Sequence, residues 1–175
     1  STELKVFLSK TTLTYTLLAL RFDALIKEYI ITMLWSISPL GEAKVGIPYG
    51  LLKDLNPYLV FISALAANIM VFPVMMIFLD KINTWLLRWG WYKRSALWVA
   101  KRAKKGSGAQ LDKYGYLGLA LFVMVPLPGT GVYAGSIATY LFKMDTQKAF
   151  WANVIGITIS SIIVWSVTQL GIKVF

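Results

Sequence analysis

The chain has 175 residues, of which 57% are hydrophobic, and a net charge of +10. Its mean hydropathy of +0.63 is high for a soluble domain, since about half apolar residues is usual there. Cys and His are both absent, which removes thiolate nucleophiles, disulfides and the commonest general base and metal ligand. The composition therefore predicts an integral membrane protein without a metal site or cofactor, and an enzyme is not expected.

The first predicted element covers residues 1–23, where apolar residues are mixed with basic ones. Lys5, Lys10 and Arg21 interrupt the apolar pattern, and such a mixture is typical of a helix that lies in the membrane interface. A tilted span from Phe7 to Leu20 is the alternative.

Residues 24–80 form the first predicted repeat, a re-entrant hairpin followed by a transmembrane helix. The apolar piece from Tyr29 to Ser38 would cover about 15 Å as a helix, half the thickness of a bilayer. The uncharged stretch from Tyr58 to Leu79 is 22 residues long, enough for a full span. The residues expected to break the hairpin between them are Pro39, Gly46, Pro48 and Gly50.

Residues 81–113 are strongly basic and rich in Trp. They contain nine of the 18 basic residues, with Asp112 as the single acidic residue. Cytoplasmic loops gather Lys and Arg, and Trp settles at the head-group level. We therefore expect a cytoplasmic linker that contacts anionic lipid head groups. A nucleic-acid patch would carry the same residue types but fits less well between two apolar blocks, so no nucleic-acid partner is expected.

Residues 114–175 form the second predicted repeat. No charge occurs from Tyr114 to Phe142, a stretch that as one helix would reach about 43 Å and overshoot a hydrocarbon core of about 30 Å. Two prolines and two glycines at its centre forbid a continuous helix, so a second re-entrant hairpin is predicted. Phe150 to Ile172 is the second full span. The residues expected to break this hairpin are Pro126, Pro128, Gly129, Gly131 and Gly135.

The two halves match each other at a shift of 85 residues. This shift pairs the glycines of two Gly-x-x-x-Gly patterns and one Asn in each span, namely Gly46 with Gly131, Gly50 with Gly135, and Asn68 with Asn153. The basic linker fixes the relative orientation, so the hairpins would enter from opposite sides. The sequence thus predicts an all-α, multi-pass protein of the cell membrane, built as two inverted repeats, a common plan for transporters.

Glu42, Lys44 and the Gly129-Thr130-Gly131 turn are the candidate proton- and substrate-binding residues. A carboxylate at membrane depth is costly unless it is paired, hydrated or protonated, and Lys44 lies two positions away. Thr130 and its flanking glycines would present backbone N–H groups at a helix start, which favours anions. The alternatives are a structural Glu42–Lys44 contact, a snorkelling Lys44 and a turn whose glycines only permit reversal.

Supporting roles are expected for the remaining polar and small residues inside the membrane. Asn68 and Asn153 would satisfy backbone groups that the broken hairpins free. Gly46, Gly50, Gly131 and Gly135 would allow close helix packing.

Several of these blocks resemble a known family of prokaryotic membrane proteins. Pro39 to Pro48, the pair Ala67-Asn68 and the run Pro126-Leu127-Pro128-Gly129-Thr130-Gly131 are similar to the small multidrug export protein family. Lys44 is a departure, because that family usually carries Arg after the acidic residue. The resemblance implies drug export. The architecture more distantly resembles the DedA-like superfamily, which implies movement of lipids or lipid phosphates.

The sequence therefore predicts a carrier for lipids or lipid phosphates with a proton-sensitive Glu42. Proton-coupled export of lipophilic cations is the first alternative, with Glu42 as the receiving anion. A non-transporting membrane scaffold that acts through the basic linker is the second. Membrane lipids are the expected partners, and a homodimer is plausible because two full spans are too few for a wide pore.

Overall fold

The computed structural model describes residues 2–91, 93–94, 114–127 and 130–174 of the chain. All regular secondary structure within these ranges is helical, which confirms the predicted all-α class there. The helices with defined ends are α1 (Thr2–Ile37), α2 (Glu42–Leu52), α3 (Pro57–Leu86), α4 (Tyr116–Met124), α5 (Val132–Leu141) and α6 (Thr146–Val174).

Helix α1 runs unbroken through the boundary that we predicted at residue 23. Its 36 residues include both the presumed interfacial segment and the apolar piece that begins at Tyr29. Charged side chains such as Arg21 and Asp23 interrupt an apolar stretch, but they are compatible with a helical backbone. The helix ends at Ile37, immediately before the turn that contains Pro39. Whether its first half spans or lies on a membrane stays a prediction.

The first predicted helix break is shorter than expected. Only residues 38–41 interrupt the helices, and α2 starts at Glu42. Gly46, Pro48 and Gly50 lie inside α2, so their predicted role as breakers is wrong. The two glycines serve close packing instead. A Cβ on Gly46 would overlap the Ser36 side chain on α1, and one on Gly50 would touch the Val60 side chain at 2.8 Å.

The second predicted break occurs where expected, between α4 and α5. Helix α4 ends at Met124, and α5 begins at Val132. Pro126 lies in the intervening turn, while Pro128 and Gly129 lie outside the described residues. Gly135 is inside α5 and does not contribute to the break.

Helices α3 and α6 are long and apolar enough to cross a membrane. Asn56 caps the start of α3, where its side-chain oxygen accepts hydrogen bonds from two backbone N–H groups. Helix α3 continues through Pro73 and extends to Leu86, beyond the predicted end of the span. Most of the basic linker lies outside the described residues. The outer faces of both long helices carry exposed apolar side chains such as Ile62, Met70, Val74, Ile155, Val167 and Leu170.

The two long helices run antiparallel. The start of α3 lies beside the end of α6, because the Trp165 indole N–H donates to the Pro57 carbonyl at 3.1 Å. The middle of α3 lies beside the start of α6, where the rings of Phe72 and Phe150 are 5.8 Å apart.

Each half of the chain has three helices in the same order, with a short helix second and a long helix third. The turn between the short helix and the long helix is the same in both halves. Asp54 and Lys143 both adopt positive φ, at 55° and 52°, in the turns that lead into α3 and α6. The following residue donates back to the short helix in both turns, at 3.3 Å from Leu55 and 3.0 Å from Met144. These turns match at a separation of 89 residues, so the shift of 85 is wrong for this part of the structure. The two shifts differ by four residues, which is about one helical turn.

Helix α2 contacts α1, α3 and α6, and α5 contacts α4, α6 and α3. The two short helices are therefore both wedged against the pair of long helices. The N-terminal ends of α2 and α5 meet, and this meeting point contains Glu42, the one buried charged residue within the described ranges.

Candidate functional site

Glu42 is the first residue of α2 and one of the most unusual residues of the fold. Its side chain is buried, with the whole residue 5% exposed, and its backbone φ is 54°. Such a left-handed conformation is uncommon for a residue with a side chain and costs about 1–3 kcal/mol. The backbone N–H is satisfied by the Ser38 carbonyl at 2.9 Å. The turn thus holds the Glu42 side chain inside the protein, with the backbone of Glu42 in an unfavourable conformation.

The Glu42 carboxylate packs directly on the N-terminus of α5. A Cβ on Gly131 would overlap this carboxylate, so the absence of a side chain there creates the space. The backbone N–H groups of Val132 and Tyr133 interact with the carboxylate. The first N–H groups of a helix have no intrahelical partner and carry partial positive charge. Glu42 therefore fills an anion site that belongs to the other half of the chain.

Lys44 completes this site. Its Nζ lies 3.6 Å from Glu42 Oε2 and donates to the Leu127 carbonyl at 2.6 Å. It also lies 3.3 Å from the hydroxyl oxygen of Thr130. That hydroxyl is in turn 2.8 Å from the Leu127 carbonyl. The ammonium thus connects the start of α2 to the turn before α5 through two oxygen atoms, one on Leu127 and one on Thr130.

A second contact joins the start of α5 to the end of α1. The Tyr133 hydroxyl donates to the carbonyl of Ile37, the last residue of α1. This bond satisfies a carbonyl at the C-terminal end of α1, where intrahelical partners run out. Each half of the chain therefore contacts the other half at its break or next to it, through Lys44 in one case and Tyr133 in the other.

A small, partly open cavity of about 10 Å³, counted as the space open to the centre of a water molecule, lies beside this contact. Its polar lining comes from α2, α3 and α6. Four buried atoms on this lining have no hydrogen-bond partner among the described residues, namely Glu42 Oε2, Asn68 Oδ1, Ser160 Oγ and Ser161 Oγ. An unsatisfied buried polar group costs about 1–3 kcal/mol, so their concentration at one cavity calls for an explanation. The cavity is smaller than the roughly 300–1,000 Å³ of typical ligand pockets.

The predicted site residues are largely brought together. Glu42, Lys44, Thr130 and Gly131 meet at the junction of the short helices. Gly129 lies outside the described residues.

The two Asn residues were predicted to support backbone groups that the broken hairpins free. Asn153 donates to the Ala149 carbonyl of its own helix at 2.9 Å, and its Oδ1 lies against Gly135. Asn68 lines the cavity, and its Oδ1 has no hydrogen-bond partner among the described residues. The Oδ1 of Asn153 also lacks a partner among these residues, so support of a freed backbone group by either Asn stays a prediction.

The sequence analysis missed Ser160, Ser161 and Tyr133. The adjacent serines in the middle of an apolar span were a usable signal, because polar residues inside such a span are rarely without a role. No local pattern marks Tyr133, whose partner is 96 positions away.

The fold has two long apolar helices, two short helices that each follow a break, and a buried polar contact where the short helices meet. These features are those of an α-helical membrane protein. The family model described as "Putative small multi-drug export protein" matches residues 42–163. The chain belongs to this family. The matched segment begins at Glu42 and includes Lys44, Thr130, Gly131 and Tyr133, whereas Ile37 and Ser38 lie before it.

No curated protein and no solved structure matches the chain. The more distant resemblance to the DedA-like superfamily therefore stays a prediction.

Proposed function

We propose that this protein is a proton-sensitive transporter for amphipathic compounds with an anionic head group, of which lipid phosphates are the expected class. One observation carries the proposal. The Glu42 carboxylate occupies an anion site that Lys44 and the N-terminus of α5 form together. The chain's own carboxylate thus stands where a substrate head group would bind.

The chemistry of the junction favours an anion over a cation. The ammonium of Lys44 and the first N–H groups of α5 both attract negative charge and repel positive charge. A phosphate head needs these same donors. Protonation of Glu42 would remove its negative charge and weaken its hold on both partners. The anion site would then become available, so proton uptake and head-group binding would be coupled.

The proposed frame is a pair of inverted repeats whose broken helices enter the membrane from opposite sides, in a multi-pass protein of the cell membrane. The antiparallel arrangement of α3 and α6 supports it. The shared turns at Asp54 and Lys143 support it too. Irregular backbone at membrane depth is tolerated where protein buries it. Here Lys44 of α2 contacts the turn before α5, and Tyr133 of α5 contacts the end of α1 next to the first turn.

The test is transport in proteoliposomes. Purified protein is reconstituted with a labelled polyprenyl phosphate or phospholipid, and movement across the bilayer is followed at several pH values. We expect the wild type to respond to pH and Glu42→Gln to lose this response, because glutamine has the same shape but cannot ionise.

The matched control is Glu28→Gln, which changes a half-buried carboxylate of α1 that accepts a hydrogen bond from Tyr49 at 2.5 Å. This variant should keep the wild-type response. Transport by Glu42→Gln with an unchanged pH response would refute the proposal.

Export of lipophilic cations is the second candidate, favoured by the description of the family. A cation would have to displace Lys44 from Glu42. Under this alternative a cationic dye is transported in the same vesicles, Glu42→Gln abolishes that transport, and lipid phosphate does not move. A scaffold would show neither activity, and neutralising Lys101, Arg102, Lys104 and Lys105 would harm its function more than Glu42→Gln.

A further inference from the structure

We propose that the cavity beside Glu42 is a binding site for water and that Asn68, Ser160 and Ser161 form the route by which a proton reaches Glu42. This inference deepens the proposed function and rests on the proton-sensitive role given to Glu42 there. It assigns a purpose to polar side chains of α3 and α6 that do not take part in the contact between the turns.

The first step is the concentration of unpartnered atoms. Asn68 is 3% exposed, Ser160 4% and Ser161 2%, and each has a side-chain oxygen that lacks a hydrogen-bond partner among the described residues. Glu42 Oε2 has the same property and faces the same cavity. Buried polar groups in proteins are nearly always satisfied by protein or by water. Four such atoms around one cavity provide the two to four partners that a bound water needs.

The second step concerns the two serines. Serine and threonine hydroxyls inside helices commonly donate to the carbonyl four residues earlier. Thr158 and Thr168, on the same helix, do so at 2.7 and 2.8 Å. The hydroxyls of Ser160 and Ser161 have no such bond. They therefore remain able to donate to one neighbour and accept from another, which a proton relay requires.

The third step is charge, which selects a neutral occupant. Lys44 Nζ lies 3.6 Å from the Glu42 oxygen that lines the cavity, and the N-terminus of α5 adds partial positive charge. A metal cation would be repelled by both groups. An anion would compete with Glu42 itself. Water satisfies donors and acceptors without adding charge.

The fourth step is the set of groups that face Glu42. Among the described residues, the titratable groups that interact with it are Lys44 of α2 and Tyr133 of α5. The sides formed by α3 and α6 contribute the uncharged groups Asn68, Ser160 and Ser161. Lys44 and Tyr133 are both held by backbone carbonyls of the turns. The uncharged side is therefore the one from which a proton can arrive without opening the junction.

The experiment follows protonation of Glu42 directly, in the absence of any substrate. Infrared difference spectra after a pH jump report the carboxylic acid band of the reconstituted protein, and Glu42→Gln identifies which part of that band belongs to Glu42. We expect the double variant Ser160→Ala/Ser161→Ala to slow the appearance of this band by roughly 10²-fold, the low end of what a positioned proton-transfer group contributes. Thr158→Val is the matched control, because it removes a hydroxyl of the same helix that is already bonded to its own backbone, and it should leave the rate unchanged.

A rate in the double variant equal to that of the wild type overturns the relay. If this variant does not fold, the single variants are measured, and a high-resolution structure of the wild type is the second test. Density for water between Asn68 and either serine supports the proposal, and a dry cavity overturns it. Because no transport is measured, failure of the relay leaves the proposed function standing. Transport by Glu42→Gln with a normal pH response removes the proposed function whatever the spectra show.

Discussion

Gly131→Ala is the sharpest single test of how the two halves meet. Gly131 has φ −94° and ψ −151°, an extended conformation that alanine adopts without strain. The effect of the substitution therefore comes from its methyl group alone. That group would overlap the Glu42 carboxylate, so either Glu42 leaves the N-terminus of α5 or the two short helices separate.

The expected destabilisation is about 1–3 kcal/mol, the usual cost of inserting a methyl group into packed structure. For a chain of this length each kcal/mol shifts the melting temperature by about 2–4 °C, so Gly131→Ala should lower it by roughly 2–12 °C. Thermal unfolding of detergent-solubilised protein is the assay. Gly118→Ala is the matched control, since within the described part of the chain no atom beyond its chain neighbours and its own helix backbone lies within 4 Å of the added Cβ. It should be neutral or slightly stabilising.

A double-mutant cycle identifies the cause. Truncation by Glu42→Ala removes the carboxylate that the new methyl group would meet, so Gly131→Ala should cost little in that background. Additive effects of the two substitutions, or equal melting temperatures for Gly131→Ala and Gly118→Ala, would refute the close contact between Glu42 and α5.

Two further substitutions test the ion pair and the entry to α3. Lys44→Met should destabilise the protein by about 3 kcal/mol, the low end for removing one partner of a buried ion pair, because the Lys44 side chain keeps 15% exposure. Adding Glu42→Gln should recover much of this loss in the same unfolding assay, and no recovery would contradict the pairing. Asn56→Ala should cost about 1 kcal/mol, because the Asn56 side chain accepts from Tyr58 and Leu59 N–H groups at 3.0 and 3.2 Å.

The break before α5 could be predicted from sequence because local chemistry determines it. Proline lacks a backbone donor and clashes with the preceding turn, and the stretch was too long for one span. The same reasoning failed in α2, where Pro48 and two glycines lie inside a helix. Packing decided that case, because α1 approaches so closely that a Cβ on Gly46 would overlap Ser36. Tertiary contacts override propensity in this way, and a single sequence does not show them.

The site was predictable in its residue types but not in its connections. Glu42 and Lys44 stood out because charges inside apolar segments are expensive. The sequence analysis assigned the helix start near Thr130 to an incoming anion. In the structure, the Glu42 carboxylate interacts with the backbone N–H groups at that helix start. Glu42 lies 89 positions before Gly131. Spacing along the chain carries no information about such a long-range pairing, so the competition between Glu42 and a substrate could not be foreseen.

The strength of the junction sets how often it can open. Lys44 makes two charge-assisted contacts with the second turn, each worth about 1.5–3 kcal/mol, and the Tyr133 bond adds about 0.5–1.5 kcal/mol. Opening against these contacts leaves at most about 0.3% of the molecules open while Glu42 is ionised, since each 1.4 kcal/mol is a factor of ten. Protonated Glu42 leaves the Lys44 ammonium buried without its carboxylate, which raises the free energy of the closed state and not that of a hydrated open state. A single proton at Glu42 would therefore shift this equilibrium toward opening, whereas a substitution that merely weakened helix packing would open the junction at every pH.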